Sequence, residues 1–403
     1  MITLADVQAA RERIRSLIWE TPCQVSETFS ALCGARIYFK LENLQMTGSF
    51  KERGAANRLV LMSAEDRLKG VVAASAGNHA QGVAVNAQRL GIRATIVMPE
   101  TTPLIKVQAT LSFGATVVLH GTSYDDAYAE ARRLEALHGY IFVHAFDDDA
   151  VIAGQGTAAL EILEQVPDVD VVIASVGGGG WLGGMAVAIK ALKPSVRVVG
   201  VEAEAFPKMR AARDAGHLVT LAPGTSLADG ISVKRAGERT LPLFQKYVDE
   251  LVTVDDEEIA NAILLLIERE KTVAEGAGAA PVAALLQKKL RLSPEQKVCC
   301  VISGGNIDVN LLSRILERGL VKEGRRVILA LRVTDRPGAL AAVLSHVAKL
   351  RANVLEVHHN RAFMRGPIGD TELELTLETR GSTHVEEITA HLIAQGYQVM
   401  RRG

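Results

Sequence analysis

The chain has 403 residues, 48% of them hydrophobic but only 4% aromatic, and its net charge is −1. That length exceeds one compact core and implies about two or three domains, while the near-zero charge offers no electrostatic footprint for nucleic acid or an anionic membrane surface. No apolar run of about 18 residues occurs, and Met1-Ile2-Thr3-Leu4-Ala5-Asp6 lacks the basic and apolar regions of a signal peptide, so a soluble, cytoplasmic protein is expected.

From about residue 36 to 320, short β-branched runs alternate with amphipathic stretches of helical length, the pattern of βαβ units and a parallel sheet. The first strand, 37–41, precedes the junction Gly48-Ser49-Phe50-Lys51-Glu52-Arg53-Gly54-Ala55. An ε-amine desolvated by neighbours such as Phe50 has a lowered pKa and can form a Schiff base with an aldehyde, and pyridoxal phosphate is the usual one. The bland alternative is a solvated lysine in the first turn of a helix.

Strand 71–74 runs into Ser75-Ala76-Gly77-Asn78-His79-Ala80-Gln81-Gly82, which opens a helix. Free backbone N–H groups there form an anion site where a substrate carboxylate could dock, with Asn78 placed to reach the phenolic oxygen of a cofactor ring. An ordinary Ser/Asn helix cap is the alternative. Beyond strand 94–98, strand 171–174 leads into Ser175-Val176-Gly177-Gly178-Gly179-Gly180, where four residues without Cβ let N–H groups converge on a phosphate. The same stretch supports a rival: Gly178, Gly180 and Gly183 satisfy G-x-G-x-x-G, and Glu202 closes the next strand, 196–201, as the acid of a dinucleotide site would. An NAD-dependent dehydrogenase leaves Lys51 and the Asn78 loop unexplained. Strand 298–302 ends in Ser303-Gly304-Gly305-Asn306, and a serine at the carboxyl end of a parallel strand faces the ligand crevice. Against a pyridine nitrogen, that neutral hydroxyl gives a weakened electron sink, better suited to eliminating a β-substituent than to sustaining a carbanion.

The pattern changes at the charged link 321–326, after which strand 327–334, helix 337–350, strands 353–360 and 371–379, helix 384–395 and a short last strand follow a βαββαβ order of ferredoxin-like type. In the turn Thr334-Asp335-Arg336-Pro337-Gly338, Pro337 suits a first helical turn, and the N–H groups near Asp335 and Gly338 could receive the carboxylate of an effector. The alternative for this segment is a dimerisation or stability domain. Cys23, Cys33, Cys299 and Cys300 have no metal spacing and read as reduced, mostly buried thiols. His79 and His144 read as core or cap histidines, and the rings of His358-His359 should point to opposite faces of a strand.

Taken together, the segments 48–55, 75–82, 175–180, Ala228-Asp229-Gly230, 274–279 and 303–306 resemble, in order and over essentially the whole chain, the threonine/serine dehydratase family of pyridoxal-phosphate enzymes. The resemblance is to a threonine ammonia-lyase with a C-terminal ACT domain. It implies a two-lobed, tryptophan-synthase-β-like α/β catalytic domain over 1–320, with a smaller lobe near 46–145, a linker at 321–326 and a regulatory ACT domain over 327–403. It also implies that Lys51 carries the cofactor and acts as catalytic base, Asn78 meets the ring oxygen, Gly177, Gly178, Gly179 and Gly180 hold the phosphate, Ser303 meets the ring nitrogen, and Phe50 and Glu275 line the ring. Residues Ser75, Ala76, Gly77, Asn78 and His79 would hold the substrate carboxylate. The implied reaction is β-elimination from L-threonine to 2-oxobutanoate and ammonia, and from L-serine to pyruvate, in a homo-oligomer (dimer or tetramer) regulated by an amino acid such as isoleucine or valine. A serine racemase or hydroxyaspartate ammonia-lyase is the same-fold alternative, although racemases of the family carry a serine where Ala76 stands. Members that bind a divalent ion take ligands after the strand ending at Glu202. Lys208 stands at what looks like an acidic ligand position, so no resident metal is expected.

Overall fold

In the computed structural model, which describes residues 1–361 and 367–402, the chain divides into two compact units, Met1–Ile307 and Asp308–Gly403. The first unit holds strands β1 (Cys23–Val25), β2 (Arg36–Leu41), β3 (Val71–Ala74), β4 (Ala94–Met98), β5 (Thr116–Leu119), β6 (Ile141–Phe142), β7 (Val171–Ser175), β8 (Arg197–Ala203), β9 (Glu250–Val254) and β10 (Lys297–Ile302). They form two sheets. One runs β1-β2-β10-β7-β8-β9, parallel except for β1, and the other β5-β4-β3-β6, parallel throughout. The smaller sheet draws only on residues inside the 46–145 stretch. Every residue of β3 and β7 is buried, because helices cover both faces, which is why these strands read as unbroken apolar runs.

Parallel strands need crossover connections, and in such sheets ligands gather where strand ends meet helix starts. The motifs lie at those places: helices Asn78–Arg89, Gly180–Leu192 and Gly276–Leu286 begin at them, and Ser303 follows β10 directly. Cys299 and Cys300 are buried on β10, and all four cysteines are free thiols.

The second unit begins with helix Val309–Lys322 and continues as β11 (Arg326–Thr334), helix Ala339–Lys349, β12 (Asn353–Asn360), β13 (Asp370–Glu378), helix Ser382–Ala394 and β14 (Gln398–Arg402). Its sheet, ordered β12-β13-β11-β14, is antiparallel throughout. Alternating Val327, Leu329, Leu331 and Val333 turn one face of β11 onto the helices. Two boundaries differ from the sequence reading. Helix Val309–Lys322, assigned there to the catalytic part, groups with the second unit, and the short link at 321–326 consists of a helix end and a turn: the helix runs to Lys322, Gly324 turns the chain at φ +70°, and the Arg325 N–H returns to Leu320 O at 2.8 Å. Pro337 also lies before its helix, which starts at Ala339 with Gly338 as N-cap at φ +87°.

Candidate active site

Lys51 is the first residue of helix Lys51–Val60, with Phe50 as its N-cap. The loop before it is stitched to the end of β10: Phe50 N–H donates to Ser303 O at 3.0 Å, Gly305 N–H to Gly48 O at 2.9 Å, and Ser49 bridges Gly304. Gly48 has φ +73°, and a Cβ there would sit 2.6 Å from Asn306 Oδ1, so only glycine fits. The Lys51 side chain is half-buried. It donates to Ala145 O at 2.9 Å and lies 5.3 Å from the Phe50 ring centroid, while Phe50 stacks on Trp181 at 4.1 Å. Burial pushes its pKa down to about 8, opposed by the nearby Glu275 carboxylate. A solvated lysine would show neither feature. The buried hydroxyls of Thr47 and Ser49, on the same junction, have no hydrogen-bond partner among the described residues.

Helix Asn78–Arg89 has Gly77 as N-cap and no side-chain cap, so the helix-cap alternative for Asn78 does not hold and the first N–H groups lack an intrahelical acceptor. Ser75 Oγ accepts the Gly77 N–H at 3.2 Å, and Ala76 places only a methyl group in this loop. The Asn78 amide is held on both sides: Nδ2 donates to Glu275 Oε1 at 2.7 Å, and Oδ1 accepts from Asn306 Nδ2 at 2.8 Å. Glu275 is buried, and desolvation together with Asp229 raises its pKa to about 7 against the Asn78 hydrogen bond. His79 Nε2 hydrogen-bonds Val143 O at 2.9 Å, and burial plus the Lys51 charge drop its pKa to about 3, so the ring stays neutral. His144 Nδ1 accepts the N–H groups of Phe146 and Asp147 at 3.2 and 2.8 Å. Neither ring is poised for proton transfer.

The four-glycine turn is tightly enclosed. A Cβ at Gly178 would fall 2.2 Å from the Phe146 ring and one at Gly180 2.5 Å from Phe146 O, while Gly179 adopts φ +99°. Thr240 Oγ1 and Gly237 N–H hold Gly178 O at 2.6 and 3.1 Å. Gly179 caps helix Gly180–Leu192 without any side chain, which leaves the N–H groups of the turn directed at a helix-terminal anion site. On the neighbouring strand ends, Ser303 Oγ and Ser175 Oγ lie 3.3 Å apart, both buried. Phe146, Thr240 and Asn306 were not singled out in the sequence. Asn306 lies in a quoted motif and so carried a signal, whereas Phe146 and Thr240 stand in stretches with none.

Glycines with no room for a Cβ, a half-buried lysine of lowered pKa and a neutral hydroxyl at a strand end fit pyridoxal phosphate. The chain matches, over residues 14–304, the profile of the family described as pyridoxal-phosphate dependent enzyme. It belongs to that family. The family uses pyridoxal phosphate, and the dehydrogenase alternative falls with it: Glu202, counted as a ribose acceptor, is wholly buried and paired with Lys208. An L-threonine ammonia-lyase of Thermotoga maritima is 52% identical over 99% of both chains, so that likeness runs through the second unit as well. Among solved structures, threonine deaminase isoform 2 of Solanum lycopersicum superposes with a TM-score of 0.75 at 37% identity, covering 78% of this chain and 86% of its own. Maize serine racemase superposes with a TM-score of 0.75 at 32% identity, covering 80% of this chain and 99% of its own.

Proposed function

We propose that this pyridoxal-phosphate enzyme is a threonine ammonia-lyase, converting L-threonine to 2-oxobutanoate and ammonia and L-serine to pyruvate. The observation that carries the reading is the half-buried Lys51 amine, its pKa lowered to about 8, close to the Glu275 carboxylate that Asn78 holds. Bound, pyridoxal phosphate supplies an electron-withdrawing ring that makes the Cα proton of an amino acid acidic. Lys51 would anchor the cofactor, and its free amine, with a pKa lowered to about 8, suits a general base for that proton. Asn78 would meet the ring oxygen, the N–H groups of Gly177–Gly180 would hold the phosphate, and Phe50 and Glu275 would line the ring. The uncapped helix start at Gly77, with Ser75, Ala76 and the backbone of Asn78 and His79, orients the substrate carboxylate. The Ser303 hydroxyl, 3.3 Å from that of Ser175, would offer the ring nitrogen a neutral partner, a setting in which the cofactor would supply modest electron withdrawal, suited to eliminating a β-hydroxyl.

The likeness to serine racemase raises a second reading. Racemisation needs an acid-base group on the face of Cα opposite Lys51, and Ala76 supplies a methyl that cannot exchange a proton. The test is product analysis with purified protein: L-threonine should yield 2-oxobutanoate with a change in the visible absorption of the bound cofactor, and L-serine should yield pyruvate much faster than D-serine on chiral chromatography. D-serine forming as fast as pyruvate would assign the chain to the racemases.

For the second unit we propose an ACT-type regulatory role, with an amino acid such as isoleucine or valine received at Asp335, Pro337 and Gly338. The βαββαβ order and the start of helix Ala339–Lys349 without a side-chain cap support it; the N–H groups of Asp335, Arg336 and Ala339 already donate to Gly369 O, Thr334 O and Arg336 O, and the Asp335 carboxylate accepts from Arg361 Nε at 2.9 Å. A homo-oligomer, dimer or tetramer, is part of the same reading.

A further inference from the structure

Glu202, on β8, and Lys208, the first residue of helix Lys208–Ala215, have wholly buried side chains. The two carboxylate oxygens of Glu202 accept the N–H groups of Met209 and Arg210 at 2.8 and 2.9 Å, which fixes the carboxylate at the start of that helix. The Lys208 ammonium lies 3.2 Å from Glu202 Oε1 and donates to Ile231 O at 3.1 Å and to Val176 O. An ammonium has three N–H donors, and here each has an acceptor. One carboxylate and two backbone carbonyls converging from separate segments form an oxygen set of the kind that hard cations take.

We infer that the Lys208 ammonium is a built-in cation occupying the place of a metal ion, and that it fixes the phosphate-binding turn with no dissolved ion. Charge supports this. Lys208 and Glu202 neutralise one another, so a dication added among the same oxygens would leave two uncompensated positive charges away from water. Location supplies the consequence: Val176 is the residue before Gly177, Ile231 follows Gly230, and a Cβ at Gly177 would lie only 3.4 Å from Gly230 O. The ammonium therefore ties the root of the glycine turn to the turn packed against it. Lys208 is a positioning residue, one step removed from the ligand.

The test compares the holoenzyme with Lys208→Asp and Lys208→Ala for melting temperature, cofactor affinity and bound metal content, each in EDTA and in millimolar magnesium, calcium or manganese. The unsubstituted protein should carry no stoichiometric divalent ion and should change in none of these readouts. Lys208→Asp places a second carboxylate among the same oxygens, and should bind cofactor about tenfold or more weakly in EDTA and recover with a divalent ion, as loss of a supporting shell residue does in metal sites. Lys208→Ala should be rescued in part by potassium or methylammonium. A bound divalent ion in the unsubstituted protein, or a rise in its melting temperature that EDTA reverses, would overturn the inference, as would a Lys208→Ala protein that holds cofactor normally without added cation. Should both variants fail to fold, metal content and the EDTA response of the unsubstituted holoenzyme decide by themselves.

Discussion

Burial moves Lys51 and Glu275 in opposite directions, the ammonium down to about 8 and the carboxyl up to about 7, and each shift favours the neutral form. In the cofactor-free protein, labelling of Lys51 by an amine-reactive aldehyde should rise through pH 8 and level off; a rate still climbing toward pH 10.5 would mean an ordinary lysine. Lys51→Ala should keep the fold by circular dichroism, lose the visible absorbance of the bound cofactor, and lose turnover by at least the ~10²–10⁴-fold that general-base catalysis contributes. Glu275 binds its proton more tightly folded than unfolded, so its contribution to stability is full below about pH 4.5 and is lost as pH rises through about 7. Glu275→Gln keeps the hydrogen bond from Asn78 but does not titrate. Its melting temperature should match that of the unsubstituted protein near pH 4.5 and exceed it at pH 8; curves that coincide across this range would place the charge elsewhere.

Helix Lys51–Val60 is anchored by charges that no local pattern would reveal. Arg53 donates through Nε and Nη2 to Glu42 at 2.7 Å each, and through Nη1 and Nη2 to Glu161 at 2.6 and 2.8 Å, while Lys40 reaches Glu161 at 2.5 Å, all of them buried. Two cations and two carboxylates balance, and they lock the helix that presents Lys51 to β2 and to helix Asp149–Gln165. Arg53→Met leaves buried Glu42 without its paired cation and Glu161 with Lys40 alone, and should cost about 3–5 kcal/mol in denaturant unfolding. Arg53→Lys should recover only part of this, because one ammonium cannot bridge both carboxylates bidentately. A loss under about 1 kcal/mol for Arg53→Met would mean the network relaxes, as exposed pairs do. In the sequence, Arg53 was only the residue two places after the lysine. The strands that were plain there, β3, β4, β7, β8 and β10, are apolar runs with both faces covered. The edge strands β5 and β9 hold partly exposed residues, and β6 is only two residues long, so their signal was weaker. Lys51, Asn78, the glycine turn and Ser303 were legible because each stands where a strand ends or a helix begins, whereas Phe146 and Thr240 matter through contacts far along the chain.

For the molecule as a whole, the division after Ile307 indicates where a truncation should fall. The family profile ends at residue 304, and maize serine racemase is nearly covered by a match that takes in 80% of this chain. Deleting residues 308–403 should leave a cofactor-bound protein that still releases 2-oxobutanoate from L-threonine but no longer responds to an amino-acid effector, whose coupling is typically ~1–3 kcal/mol. Deleting only 322–403 would leave the amphipathic helix Val309–Lys322 without its own unit, and that shorter deletion should be the less soluble of the two. If the full-length saturation curve and melting temperature respond to none of the twenty amino acids, the regulatory role fails.

The chain has two tryptophans, and their surroundings differ: Trp19 is 57% exposed, whereas Trp181 is 5% exposed and stacked on Phe50. The stack makes Trp181 an intrinsic optical reporter of its own catalytic centre. Its emission should be blue-shifted relative to that of Trp19, and the short path through Phe50 to Lys51 should let a chromophore anchored on that lysine drain the excited state. Loading the cofactor-free protein with pyridoxal phosphate should quench the blue component and spare the red one, and Trp181→Phe should abolish the quenching while leaving cofactor absorbance in place. Cofactor occupancy could then be followed in real time with no added label.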